Sequence, residues 1–158
     1  MKTLQFILVG LLVGVVLGSM DNVALAQKDV RLDPAGTGGS DTGTIAIDIG
    51  TKFIIVGTPG SDQNFATIFQ GAGDDWKERA QLAGLGNGTR FGVSVSISDK
   101  HGGAGGVAIV GATGEDFAGK SNSGAAYIFG LSGKEWTQQA KLRSDDLAEG
   151  DTFGHSVA

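Results

Sequence analysis

Self-similarity at a period near sixty residues constrains this chain more than any other feature. Trp76 returns as Trp136 (136 − 76 = 60), Ala80 as Ala140 and Leu82 as Leu142. Phe91-Gly92 returns as Phe153-Gly154, at 153 − 91 = 62. KFIIVGTPG from Lys52 matches GVAIVGATG from Gly106, and FATIFQ from Phe65 matches AAYIFG from Ala125. Landmarks that recur in one order identify one supersecondary unit used more than once.

Each unit carries four short segments bounded by Gly, Asp, Asn or Ser. The first has TIAID from Thr44, FIIVG from Phe53, FATIF from Phe65 and WKERAQL from Trp76; the second has VSVSI from Val93, VAIVG from Val107, AAYIF from Ala125 and WTQQAKL from Trp136. Their length and β-branched or aromatic content predict strands. FIIVG and VAIVG are continuously apolar, as a strand covered on both faces requires, whereas SVSI alternates and suits one dry face. WKERAQL is rich in helix formers. Its second copy reads otherwise, because Trp136, Gln138, Ala140 and Leu142 fall on one face of a strand. On a helix, at ~100° per residue, Leu142 would lie about 240° from Trp136.

Repeated four-stranded antiparallel units that bury each other's faces predict an all-β fold, a partial β-propeller. A β-sandwich is the rival, although it needs no sixty-residue period. The expected organisation is a blade over 44–90, a blade over 91–152 and the first strand of a third at 153–158. A closed ring takes typically about four to eight blades, so about two blades read as a fragment. The expected blade core is Phe53, Ile55, Phe69, Trp76, Phe91, Ile109, Phe129, Trp136 and Phe153.

Before the repeats, residues 1–26 have the layout of a secretory signal peptide: Lys2, an apolar stretch from Phe6, then Ala24 and Ala26 before Gln27. A membrane anchor competes, but the apolar run is shorter than the ~18 residues that a span requires. Residues 27–43 lack periodicity and read as a linker. The 158 residues contain no Cys, so an exported form has neither disulfides nor a thiolate metal site. Twelve basic against 17 acidic residues give a net charge of −5, which disfavours nucleic acid as a partner.

FGVSVSIS, VAIVGA, SGAAYIF, WTQQAKL and GDTFGHSVA together resemble the FG-GAP repeat of integrin α subunits and related secreted proteins. The FG is Phe91-Gly92 and again Phe153-Gly154; the GAP position is Gly111-Ala112-Thr113, and Gly57-Thr58-Pro59 in the first unit. The resemblance covers about 44–158, and the first unit departs from it, with no FG before Thr44. It implies a propeller scaffold for adhesion or ligand binding, without catalysis in the blades. Many such repeats hold calcium in a D-x-D-x-D-G-x-x-D loop. Here the loop is DKHGGAGGV, where Asp99 is the lone carboxylate and His101, Gly103 and Val107 take the other positions; the first unit offers Asp48. Calcium takes about six to eight oxygens, so no metal or other cofactor is expected.

Other motifs have plainer readings. GEDFAGKS, from Gly114 to Ser121, fits a phosphate-binding pattern, but a strand rather than a helix follows it, and no nucleotide is expected. Asp145, Asp146, Glu149 and Asp151 read as a solvated loop, and His101 as a surface residue. His155 and Ser156 adjoin, and neighbours on a strand point apart. Trp76 and Trp136 read as packing between blades rather than as sugar platforms. Asn87-Gly88-Thr89 is a glycosylation sequon on a surface turn, relevant in a eukaryotic secretory pathway.

The expected function is an exported, non-catalytic scaffold, secreted or at the cell surface, that presents loops to an extracellular protein or glycan. Membrane association is expected only through the leader or a missing C-terminal region. The alternative is the propeller portion of a secreted hydrolase or lyase whose catalytic part lies elsewhere; a third is a two-blade chain that builds rings from several copies.

Overall fold

A computed structural model of the chain describes residues 46–60, 64–84, 88–99 and 105–158. The expected leader and linker, the sequon at Asn87, and His101 lie outside them. The described residues form two four-stranded antiparallel sheets and no helix. Sheet one holds β1 (Ala46–Ile49), β2 (Phe53–Thr58), β3 (Phe65–Ala72) and β4 (Asp75–Ala83). Sheet two holds β5 (Phe91–Ser98), β6 (Val107–Ala112), β7 (Ala125–Ser132) and β8 (Glu135–Leu142). In both, the strands lie side by side in chain order, the meander of a propeller blade. The chain is therefore a partial β-propeller of two blades.

All eight predicted segments are strands, WKERAQL and WTQQAKL included. Their helix formers yield to tertiary context, because β3 and β7 supply ladder partners along their length. Gly73 and Gly133, each at positive φ, close the two outer hairpins in two residues.

The sheets meet face to face. Phe53, Ile55, Ala66, Ile68 and Leu82 of sheet one join Phe91, Val95, Ile97, Val110, Tyr127 and Phe129 of sheet two in one core. Phe91 makes edge-on contacts with Tyr127 (5.3 Å) and Phe129 (6.0 Å), each worth ~0.5–1.5 kcal/mol beyond the burial of its area. Trp136 meets Phe53 across the seam at 5.4 Å and 86°, so the indole packs between blades. Gly57 lets the two sheets approach closely at this seam. A Cβ there would overlap the carbonyl oxygen of Gly92, so the backbones touch directly. The contact repeats one unit later, where Gly111 meets the Gly154 carbonyl.

Of the expected core, Phe53, Ile55, Phe69, Phe91 and Phe129 are buried, while Trp76, Ile109, Trp136 and Phe153 are half-buried. The difference follows the faces. β2 is buried from Phe53 to Gly57, as a doubly covered strand should be. In β6, the side facing sheet one (Ala108, Val110, Ala112) is buried, and Val107 and Ile109 on the other side are half-exposed.

Two expectations need correction. Trp136, Gln138, Ala140 and Leu142 do not share a face. The β7–β8 register shifts between Ile128 and Phe129, so Trp136 and Gln138 pair with Leu131 and Phe129, while Ala140 and Leu142 pair with Ile128 and Ala126. Gln139 is the extra residue, and one inserted residue turns everything after it to the other face. β4 does the same at Arg79, between Glu78 opposite Phe69 and Ala80 opposite Ile68. The second correction concerns 153–158. Phe153 makes an isolated parallel bridge to Gly124, and His155 and Ser156 form bends rather than strand. A strand is held by a partner's ladder, and among the described residues none pairs with His155 or Ser156.

Candidate functional site

Asp99, at the end of β5, accepts the Thr51 hydroxyl at 2.6 Å, the Thr51 amide and the Lys52 amide at 3.2 Å, all on the β1–β2 turn of the other sheet. Burial pulls its pKa up, but these bonds, with one from the Phe53 amide, outweigh it and hold the carboxyl below its ordinary range. Asp48 accepts the Ile97 amide at 2.7 Å and the Ser96 hydroxyl at 3.1 Å on the free edge of β5. The two carboxylates with calcium-loop positions thus clasp one sheet to the next, and they cover edge amides that would otherwise invite another strand.

The loop with the phosphate-binding pattern closes differently. Phe117 and Lys120 exchange backbone hydrogen bonds at 3.2 and 3.0 Å around Ala118 and Gly119, both at positive φ. The chain then runs into β7, so no helix N-terminus exists here to cradle a phosphate. Lys120 donates instead to the Leu147 carbonyl. Glu115 is buried at the base of the loop. It accepts the Tyr127 hydroxyl, the Arg143 guanidinium at 3.0 Å and the Lys141 ammonium. Desolvation raises its pKa, yet the bonds from Lys141, Tyr127 and Arg143 and the Lys141 charge together lower it below the usual glutamate value. Arg143 also lies over the Phe117 ring at 4.1 Å.

This network escaped the sequence reading. A signal existed, since the first unit has Thr67, Gln81 and Ala83 where the second has Tyr127, Lys141 and Arg143. The network fixes a loop that in turn holds the chain after β8: Gly150, Thr152 and Phe153 donate amides to the carbonyls of Ser121, Asn122 and Ser123 at 2.9–3.0 Å. It opens onto no described cavity and reads as scaffold.

In the acidic loop, Asp146 accepts the Ser144 hydroxyl and Asp151 the Ala148 amide, while Leu147 is buried as its anchor. Among the described residues, no three of His, Asp and Glu converge as a metal would require. His155 and Ser156 are both exposed at the bends. The Trp76 indole donates to the Gly73 carbonyl at 2.8 Å and braces its own hairpin.

One surface feature brings together polar side chains from both sheets, beside Leu131, which packs against the core. An open groove of about 390 Å³ runs between the outer hairpins of the two sheets, lined by Gln70, Arg79, Leu131, Gly133 and Lys134. Arg79 is the bulged residue of β4. Bulges re-aim side chains, and this one carries the guanidinium across the seam to the Lys134 carbonyl. Sequence periodicity could not place it, because the alternation that locates a side chain breaks at that residue.

Residues 76–129 and 136–158 match the profile of the FG-GAP repeat. Each match starts at a tryptophan; the first spans an outer strand and the first three strands of the next sheet. No curated protein matches the chain.

Proposed function

We propose that this FG-GAP repeat protein, a propeller segment over its two sheets, is an exported, non-catalytic scaffold that binds an extracellular protein or glycan. The observation that carries the reading is the division of labour among its polar residues. Asp48, Asp99, Glu115, Lys120 and Arg143, which could have served chemistry, hold the frame. Gln70, Arg79 and Lys134, by contrast, line a surface groove. Rigid strands with differing surface residues suit recognition, and a fold alone does not name a ligand.

Two measurements test it. Expressed with its leader, the protein should leave the cytoplasm and begin at Gln27 by N-terminal sequencing; retention with Met1 intact overturns export. Screening the full chain on immobilised extracellular glycans and matrix proteins should give saturable binding. Turnover of a glycan without such binding would overturn the non-catalytic scaffold.

A further inference from the structure

The groove between the outer hairpins differs between the two units at each residue that gives it character. Arg79 stands where the second unit has Gln139, Gln70 where it has Gly130, and Lys134 where the first has Asp74. The repeat fold does not require these residues, since each unit forms its sheet without the other's. Arg79 and Lys134 are both cationic in a chain of net charge −5, and the lining residues include no carboxylate. Among the described residues no acidic group lies within ion-pair distance of either.

We propose that this groove binds an acidic glycan through its sulfate or carboxylate groups. Arg79 offers a planar fork that matches an oxyanion in two hydrogen bonds, and the bulge with its bond to the Lys134 carbonyl holds the fork in place. Lys134 adds an exposed second charge at the rim. Gln70 presents an amide to sugar hydroxyls, and Leu131, the one larger apolar lining residue, offers a small surface to a ring face. The lining has no aromatic side chain and no deep apolar pocket, which favours a saccharide over an acidic peptide anchored by its side chains. The proposal rests on the scaffold reading above and narrows its ligand class.

The test is titration of the full chain with a heparin-derived octasaccharide and with an oligo-glutamate peptide, near physiological salt. The octasaccharide should bind and the peptide should not. Arg79→Gln, which installs the residue of the other unit, should weaken binding about tenfold, as expected for loss of a charge-assisted hydrogen-bonding group. Lys134→Gln lies on an exposed turn, cannot disturb the core, and should weaken binding about threefold. Lys77→Gln, an exposed cation outside the groove, should change nothing. Wild-type affinity in both groove variants, an equal loss in Lys77→Gln, or preference for the peptide overturns the proposal. Binding of a neutral glycan or a protein, unchanged in Arg79→Gln and with no octasaccharide binding, overturns it while leaving the scaffold reading intact. No binding to any ligand overturns both.

Discussion

Leu82 and Leu142 occupy the same place in the two units, yet Leu82 is 4% exposed and Leu142 42%. The reverse holds on the other face. Val95 and Ile97 of β5 are 8% and 7% exposed, while Ile47 and Ile49, which hold the equivalent positions on β1, stand at 39% and 43%. At these positions the residue at the seam is dry and its counterpart is wetter, although on the Ile47 and Ile49 face of sheet one the inner-strand residues Ile54, Val56 and Phe69 are buried as well. A repeat specifies the residue type that a face needs when a neighbour stands against it. It does not specify what that residue contributes at a given place, because the contribution comes from the neighbour.

Substitutions at matched positions can break this comparison. The largest effect is expected at the two FG phenylalanines. Phe91→Ala, at a fully buried ring with two aromatic partners, should cost ~3–5 kcal/mol in urea unfolding, and half-buried Phe153→Ala about 1–2 kcal/mol. Equal losses would show that the outer face is as well packed as the seam. Next come the leucines: Leu82→Ala should lower stability by ~2–4 kcal/mol and Leu142→Ala by less than about 1 kcal/mol.

Glu115→Gln tests the network that sheet two has and sheet one lacks, with an expected loss of ~1–3 kcal/mol at neutral pH. Its folded pKa is lowered, so its stabilising contribution is present above the unfolded value and disappears as pH falls through the folded one. The gap between wild type and Glu115→Gln should therefore narrow as the solution is acidified through and below the glutamate range. A gap that widens in acid would exclude the carboxylate as the source. The smallest effect belongs to Asp99→Asn, which loosens the clasp on the Thr51 turn. Solvent access at that site limits it to ~0.5–1 kcal/mol, and amide exchange at Thr51 and Lys52 should report it better than the global midpoint.

The architecture was legible because its signals are local and repeated. Gly-bounded segments of β-branched and aromatic residues, repeated in order, identified eight strands; WTQQAKL is a strand too, although the shared face that argued for it breaks at Gln139. The packing of Trp136 between blades was legible too, whereas Trp76, expected to do the same, bonds within its own hairpin. What alternation could not reveal was the change of face within β4 and β8. A bulge adds a residue without altering composition, so Arg79 and Gln139 look like ordinary strand positions. The Glu115 network was hidden for a different reason. Its members lie on the β6–β7 loop, β7 and just beyond or within β8, and they converge only through pairing. The candidate groove was least legible, because it exists only between two hairpins that are sixty residues apart in sequence.

The glycine contact at the seam has a consequence for how the protein is made. Sheet one completes its own hydrogen bonding at Ala83, with Gly57 paired to Ala46 and Ala66, but the surface that packs on Gly57 and its neighbours comes only with the next sheet. At ribosomal speeds of about 5–20 residues per second, a further unit of some sixty residues takes roughly 3–12 s to appear. For that interval a nascent chain carries a finished sheet with one apolar face uncovered. Lys77, Glu78 and Arg79 on the outer strand β4 place charge along the edge that another nascent chain would meet first. The first unit is in this sense guarded during the delay by its own last strand, until the following one arrives.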